Sequence, residues 1–291
     1  MTDKRPLDFA HSVTMTGDAG RAAAEVEASF AVPHDPTAAA FFDIDNTIMR
    51  GASIFQLVRG LASEGLISIP ELVSAFGKQA KFVMANSENL EDMHDATDAA
   101  LSFVQGRKVQ DVLDVSEHVF DKYMVDKLWP GTLALAQSHL DAGQRVWLVS
   151  ATPVELSQII ASRLGFSGGL GTVAESEDGI YTGRLDGHSL HGPEKAHAIE
   201  RLAAKEGLDL SRCSAYSDSS NDIPMLSIVG HPVAVNPDSE LRAYAKENGW
   251  VIRDYRRRRM ATRGVTVAVV TAAVAGAVGG FLISRRGKKS D

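Results

Sequence analysis

Three short stretches of this chain place acids and hydroxyls where apolar runs end. Residues 38–51, AAAFFDIDNTIMRG, put Asp43 and Asp45 directly after an apolar run. Residues 146–152, VWLVSAT, end in Ser150, Ala151 and Thr152, and residues 213–222, CSAYSDSSND, end in Asp218, Asn221 and Asp222. Lys195 stands near the start of a helical pattern between the second and third stretches. If one cleft gathers these groups, the carboxylates of Asp43, Asp45, Asp218 and Asp222 face a single ammonium. Close carboxylates at neutral pH call for a cation or for raised pKa values. Oxygen donors and a low ligand count suit Mg2+, which keeps waters and accepts substrate phosphate oxygens. Lys195 and the Ser150 hydroxyl are suitable partners for a phosphoryl group. One Asp can then serve as nucleophile through an aspartyl phosphate. A second, two residues on, can protonate the leaving oxygen and afterwards activate water. Alternation along the strand turns the intervening Ile44 back into the core.

For these side chains to meet, the apolar runs must be neighbouring strands of one sheet. AAAFFDI, QRVWLVSA, CSAYSD, PVAVN and WVIRDY read as five buried strands in chain order. TLALAQSHLDAG predicts a helix with Gly143 at its end, PVELSQIIASRLGF one with Pro153 in its first turn, and PEKAHAIERLAAKEGL a third. Residues 168–190, Gly-rich with β-like pieces, predict a hairpin excursion. Strands alternating with helices imply an α/β domain with a largely parallel sheet. Residues 53–125 carry helical spacing and few turn signals, and so read as a helical insertion behind the first strand. The expected division is a disordered segment over 1–37, a core over 38–52 and 126–255, and a helical cap over 53–125.

The chain has 291 residues, 44% apolar and 23% charged, with a net charge of −7. Residues 253–291 carry ten Lys/Arg against two Asp, a net +8, which leaves −15 for residues 1–252. An acidic body argues against nucleic-acid binding, which draws on clustered positive charge. The single cysteine, Cys213, leaves no internal disulfide framework, fits a reducing compartment and reads as a small buried side chain. The first twenty residues lack the apolar stretch of a secretory signal.

The tail differs from the body. Residues 264–284, GVTVAVVTAAVAGAVGGFLIS, form an uncharged run of 21 residues bounded by RRRRMATR and RRGKK. A helix of about 20 apolar residues crosses the hydrocarbon core of a bilayer, so this segment predicts a single transmembrane helix. Six basic residues precede it and four follow, which places the body on the cytoplasmic side of the cell membrane. Gly276 and Gly280 form a GxxxG pair that can support a homodimer through helix packing.

Taken together, DIDNT, WLVSA, Lys195 and YSDSSND resemble, in order and spacing, the four motifs of the haloacid dehalogenase superfamily of phosphohydrolases, over residues 38–255. The insertion after the first motif resembles the helical cap of its phosphoserine-phosphatase-like subgroup. The resemblance implies a Rossmann-like core with that cap. It implies Asp43 as nucleophile and Mg2+ ligand, and Asp45 as general acid/base with its backbone carbonyl also on the metal. Asp218 would be the third protein ligand. Ser150, Ala151, Lys195 and Asn221 would hold the phosphate, and Asp222 would orient Lys195 or a metal-bound water. There are two departures. Ala52 stands where phosphoserine phosphatases carry a Glu for the substrate amine, and Ser217 stands where the fourth motif usually has Gly. The function implied is a Mg2+-dependent phosphatase for a small or lipid-linked phosphate at the cytoplasmic membrane face. The alternatives are a phosphotransferase or phosphomutase, and a non-enzymatic membrane-anchored phosphate-binding protein.

Overall fold

The computed structural model describes residues 32–65, 101 and 104–256. The segment 264–284, most of residues 1–37 and the middle of the block 53–125 lie outside the described residues. Among the described residues no helix is long and apolar enough to cross a membrane. Residues Met1–Arg253 form one compact unit and Asp254–Asp291 a second.

In the first unit a six-stranded sheet is built from β1 (Ala39–Phe42), β2 (Arg145–Pro153), β3 (Gly168–Thr172), β6 (Ser214–Ser217), β7 (His231–Val235) and β8 (Val251–Arg253). All neighbours pair in parallel, in the order β3-β2-β1-β6-β7-β8. The hairpin β4 (Ala174–Glu177) and β5 (Ile180–Leu185) stands apart from this sheet. Parallel strands are covered on both faces, so their sequences read as continuous apolar runs. β1 is the extreme case, with all four residues buried. Phe42 stacks on Tyr216 at 4.1 Å between ring centroids, while Phe41 belongs to the cluster of Ile199, Met225, Leu226 and Leu241.

Helices α1 (Ser53–Ser63), α2 (Val109–Val119), α3 (Pro130–Asp141), α4 (Val154–Arg163), α5 (Pro193–Glu206), α6 (Ile223–Ser227) and α7 (Ser239–Glu247) complete the described part. α1 buries Leu57, Val58 and Leu61, and a Cβ placed on Gly60 would meet Val119 Cγ2 at 2.0 Å. The absence of a side chain at Gly60 is what lets α1 and α2 approach closely. α2 runs on into a single π-helical turn, Phe120–Met124, whose Phe120 and Met124 are fully buried.

Two sequence expectations are corrected. Residues 168–172 do not belong to the hairpin excursion but form the sixth strand, at the sheet edge. GGLGT has little strand propensity. It is a strand because it packs tightly on α4: a Cβ on Gly169 would lie 2.5 Å from the backbone carbonyl carbon of Ser157. Pro153 is the last residue of β2 and caps α4 instead of lying in its first turn. The hairpin itself covers 174–185, as Tyr181 and Gly179 exchange backbone hydrogen bonds with residues 106–109.

Candidate active site

In chain order the strands leave β1 first in one direction, β2 then β3, and afterwards in the other, β6, β7 and β8. Open α/β sheets bind ligands beyond the carboxyl ends of the strands at such a switch point. Phe42 pairs with Leu148 on one side and Tyr216 on the other. The residues just past those pairs, Asp43, Val149-Ser150 and Ser217-Asp218, therefore emerge at one level. The Asp43 amide donates to the Tyr216 carbonyl at 2.9 Å and fixes that level.

Lys195, on the first turn of α5, is drawn into the same place. Its Nζ donates to Asp43 Oδ1 at 2.7 Å and to Asp222 Oδ2 at 2.8 Å. All three side chains are at most 7% exposed. The Ser217 hydroxyl donates to the same Asp222 Oδ2 at 2.6 Å. Asp222 precedes α6 in the N-cap position, but its side chain caps nothing there and serves Lys195 instead. Ile44 is fully buried between Asp43 and Asp45, as strand alternation requires.

Asp45 is held differently. Its Oδ1 accepts the Ser53 amide at 2.8 Å, at the start of α1. The Ser53 hydroxyl lies 2.5 Å from Thr152 Oγ1, and the Thr152 amide donates to Ser150 Oγ at 3.2 Å. One chain of hydrogen bonds thus joins the ends of β1 and β2 through the first residue of α1. Asp218 accepts from the Thr47 hydroxyl at 3.4 Å. The Asp238 amide donates to the Asp218 carbonyl, and Asp238 Oδ2 accepts the Ser220 amide at 2.7 Å. Asn236, fully buried in a left-handed conformation, donates from Nδ2 to the Asn46 carbonyl at 3.2 Å.

These contacts bring Asp43, Lys195 and Asp222 into direct contact and Asp218 into their electrostatic range. Ser150 is buried in β2, two residues past the strand's last pair with β1, and Ala151 and Thr152 line a cavity together with Asp45. Asn221 hydrogen-bonds Ser219 and His191. Sequence reasoning did not single out Ser53, Asn236 and Asp238. Ser53 sits one residue beyond the noted Ala52, and the other two follow β7, but none belongs to a motif that names it.

The electrostatics follow from burial. Desolvation pushes Asp43 up to about 7, against the pull of Lys195, with Asp222 and Asp45 adding to the rise. Desolvation, then Asp43 and Asp222, push Asp218 up to about 8. Asp45 is raised by burial, partly offset by its Ser53 hydrogen bonds. Burial alone lowers Lys195, but Asp222 and Asp43 outweigh it and hold the ammonium above its ordinary value. A cluster in which burial and mutual repulsion raise two carboxylates is one that a bound cation stabilises. Among the described residues no three His, Cys, Asp or Glu side chains converge to hold a metal. Mg2+ uses one or two protein carboxylates and keeps several waters. Asp43 and Asp218, with a backbone carbonyl, fit that habit and do not fit a cage for zinc.

Strand ends at a switch point, carrying carboxylates around a buried lysine, define an α/β enzyme of the phosphoryl-handling kind. Comparison with known proteins makes the assignment more specific. Residues 40–227 match the model of the haloacid dehalogenase-like hydrolases, and the chain belongs to that family. It is 51% identical over 250 residues to the phosphoserine phosphatase SerB1 of Mycobacterium tuberculosis, covering 86% of this chain and 80% of that protein. It is 35% identical over 224 residues to the inhibition of morphological differentiation protein of Streptomyces azureus, covering 76% and 80%. A crystal structure of a protein of unknown function from Bordetella pertussis superposes with a TM-score of 0.67 at 27% identity, covering 76% of this chain and 99% of that one.

Proposed function

We propose that this chain is a Mg2+-dependent phosphomonoesterase working through an aspartyl phosphate on Asp43. The observation that carries the reading is the buried Lys195 bridge between Asp43 and Asp222, with Asp45 two residues from the nucleophile. In the first half-reaction an Asp43 carboxylate oxygen forms a bond to phosphorus and the phosphorus–alkoxy bond breaks. Asp45 gives its proton to the departing alcohol oxygen. Its raised pKa suits that acid role. In the second half-reaction Asp45 takes a proton from water, the water oxygen bonds to phosphorus, and the Asp43–phosphorus bond breaks to release phosphate. Lys195 and Ser150 hold the phosphoryl oxygens, with the Ala151 backbone and Asn221 in support. Asp43, Asp218 and the Asp45 carbonyl would hold Mg2+, which supplies charge neutralisation for the transferring group.

Residues 53–125 serve as the cap over a core of 38–52 and 126–255. Residues 264–284, uncharged over 21 positions and flanked by arginines, anchor the enzyme in the cell membrane, with its body cytoplasmic, its substrate a small or lipid-linked phosphate, and GxxxG contacts pairing two copies. The test of the chemistry is phosphate release from a set of phosphomonoesters with Mg2+ or with chelator. Turnover that needs Mg2+ supports it, and metal-independent turnover contradicts it.

A further inference from the structure

The cavity that Asp45 lines has a volume of about 190 Å3. Asp45 is the proposed proton donor to the departing alcohol, so an alcohol leaving from that site has this cavity beside it. Its wall is formed by Ile54 and Leu57 of α1, by Leu101 and Val104, and by Tyr181 and Leu185 of the hairpin. The hairpin is fixed there by the Gly106 amide, which donates to the Tyr181 carbonyl at 2.8 Å, and by the Tyr181 amide, which donates to the Arg107 carbonyl at 2.9 Å. Among the described lining residues the ionisable groups are Asp45, Glu155 and Tyr181. Glu155 is fixed by the Tyr181 hydroxyl, which donates to its Oε1 at 2.8 Å.

Resting on the phosphatase reading, we propose that this cavity selects phosphomonoesters of apolar alcohols that carry no negative charge, and that Glu155 is the residue that excludes anionic ones. An alkyl group entering the cavity leaves water for apolar side chains, a favourable transfer that grows with each methylene. A carboxylate entering it meets the Glu155 carboxylate and, among the described lining residues, no basic partner for the hydration it loses. Phosphoserine, whose alcohol bears a carboxylate, is a poor fit on this account. Tyr181 holds the Glu155 carboxylate in one place, so the repulsion is directed at a fixed point of the cavity.

The experiment measures kcat/KM of the full chain with Mg2+ for methyl, ethyl, propyl and butyl phosphate, phosphoglycolate, phosphoserine and p-nitrophenyl phosphate. The alkyl leaving groups differ little in basicity, so the series reports burial. The expected rise is about fourfold per methylene until the cavity is filled. Phosphoglycolate should fall at least about tenfold below ethyl phosphate, and Glu155→Gln, which keeps an acceptor for Tyr181, should narrow that ratio. Ile54→Asn, on a half-buried wall position, should lower the butyl-to-methyl ratio. A flat alkyl series, or phosphoserine used better than butyl phosphate, would overturn the proposal while p-nitrophenyl phosphate turnover left the phosphatase reading standing. A folded protein that hydrolyses no member, p-nitrophenyl phosphate included, overturns the phosphatase reading and this proposal with it.

Discussion

Lys195 Nζ donates to Asp43 Oδ1 at 2.7 Å, joining residues 152 positions apart in the chain through side chains only 5% and 7% exposed. The ammonium has a second partner in Asp222, and the two carboxylates together keep it charged in a buried setting. Under the proposed function, a cation held this way is already in position when a phosphoryl group arrives. Lys195→Met should therefore lower kcat/KM by about 10^2–10^3-fold, read by steady-state phosphate release.

Asp222 accepts from both Lys195 and Ser217, and is itself 2% exposed. Asp222→Ala leaves Lys195 paired with Asp43 alone and the Ser217 hydroxyl without this acceptor, a loss of about 1–3 kcal/mol. Urea unfolding should read that loss, and Asp222→Asn should lose less because it can still accept from Ser217.

The raised carboxylates give the metal-free protein a pH dependence of definite sign. Asp43 and Asp218 rise from 3.8 to about 7 and about 8, chiefly through desolvation. Between those limits the folded state binds more protons than the unfolded state, so stability falls as pH rises. The contribution is complete below the unfolded carboxylate range and lost as pH passes through about 7 and 8. In chelator, Tm should be higher at pH 5 than at pH 9, and Asp218→Asn should flatten the difference. Added Mg2+ should raise Tm more at the higher pH, where the ligands are ionised.

Gly169 lies where a Cβ would meet the Ser157 carbonyl carbon at 2.5 Å, with backbone on both sides of the contact. Neither side can rotate away, so Gly169→Ala should destabilise by about 1–3 kcal/mol. Thermal unfolding checks this, and an unchanged Tm would mean that β3 and α4 can separate without loss.

Much of the site was legible because its chemistry is written at strand ends. Asp43, Ser150 and Asp218 each follow an apolar run, and the sheet register brings those ends to one level. For Asp222 the sequence left two partners open, Lys195 and a metal-bound water, and the structure joins it to Lys195. Asn236 and Asp238 were not legible, because their roles are backbone contacts to loops far away in sequence. β3 was misread because glycines carry no strand preference, and its extended form is imposed by packing against α4. Glu155 and Tyr181 carry no motif, and they meet between α4 and the hairpin, which is itself bonded to residues 106–109.

The most direct test of the account traps the covalent intermediate. Borohydride reduction of an aspartyl phosphate converts the aspartate to homoserine, which peptide mass spectrometry locates. Protein quenched during turnover with Mg2+ and p-nitrophenyl phosphate should carry homoserine at position 43 and at no other aspartate. The label should be absent without substrate and in Asp43→Asn, which should also lose about 10^4-fold or more in kcat. Steady turnover with no homoserine at position 43, or undiminished turnover by Asp43→Asn, would contradict Asp43 as the nucleophile.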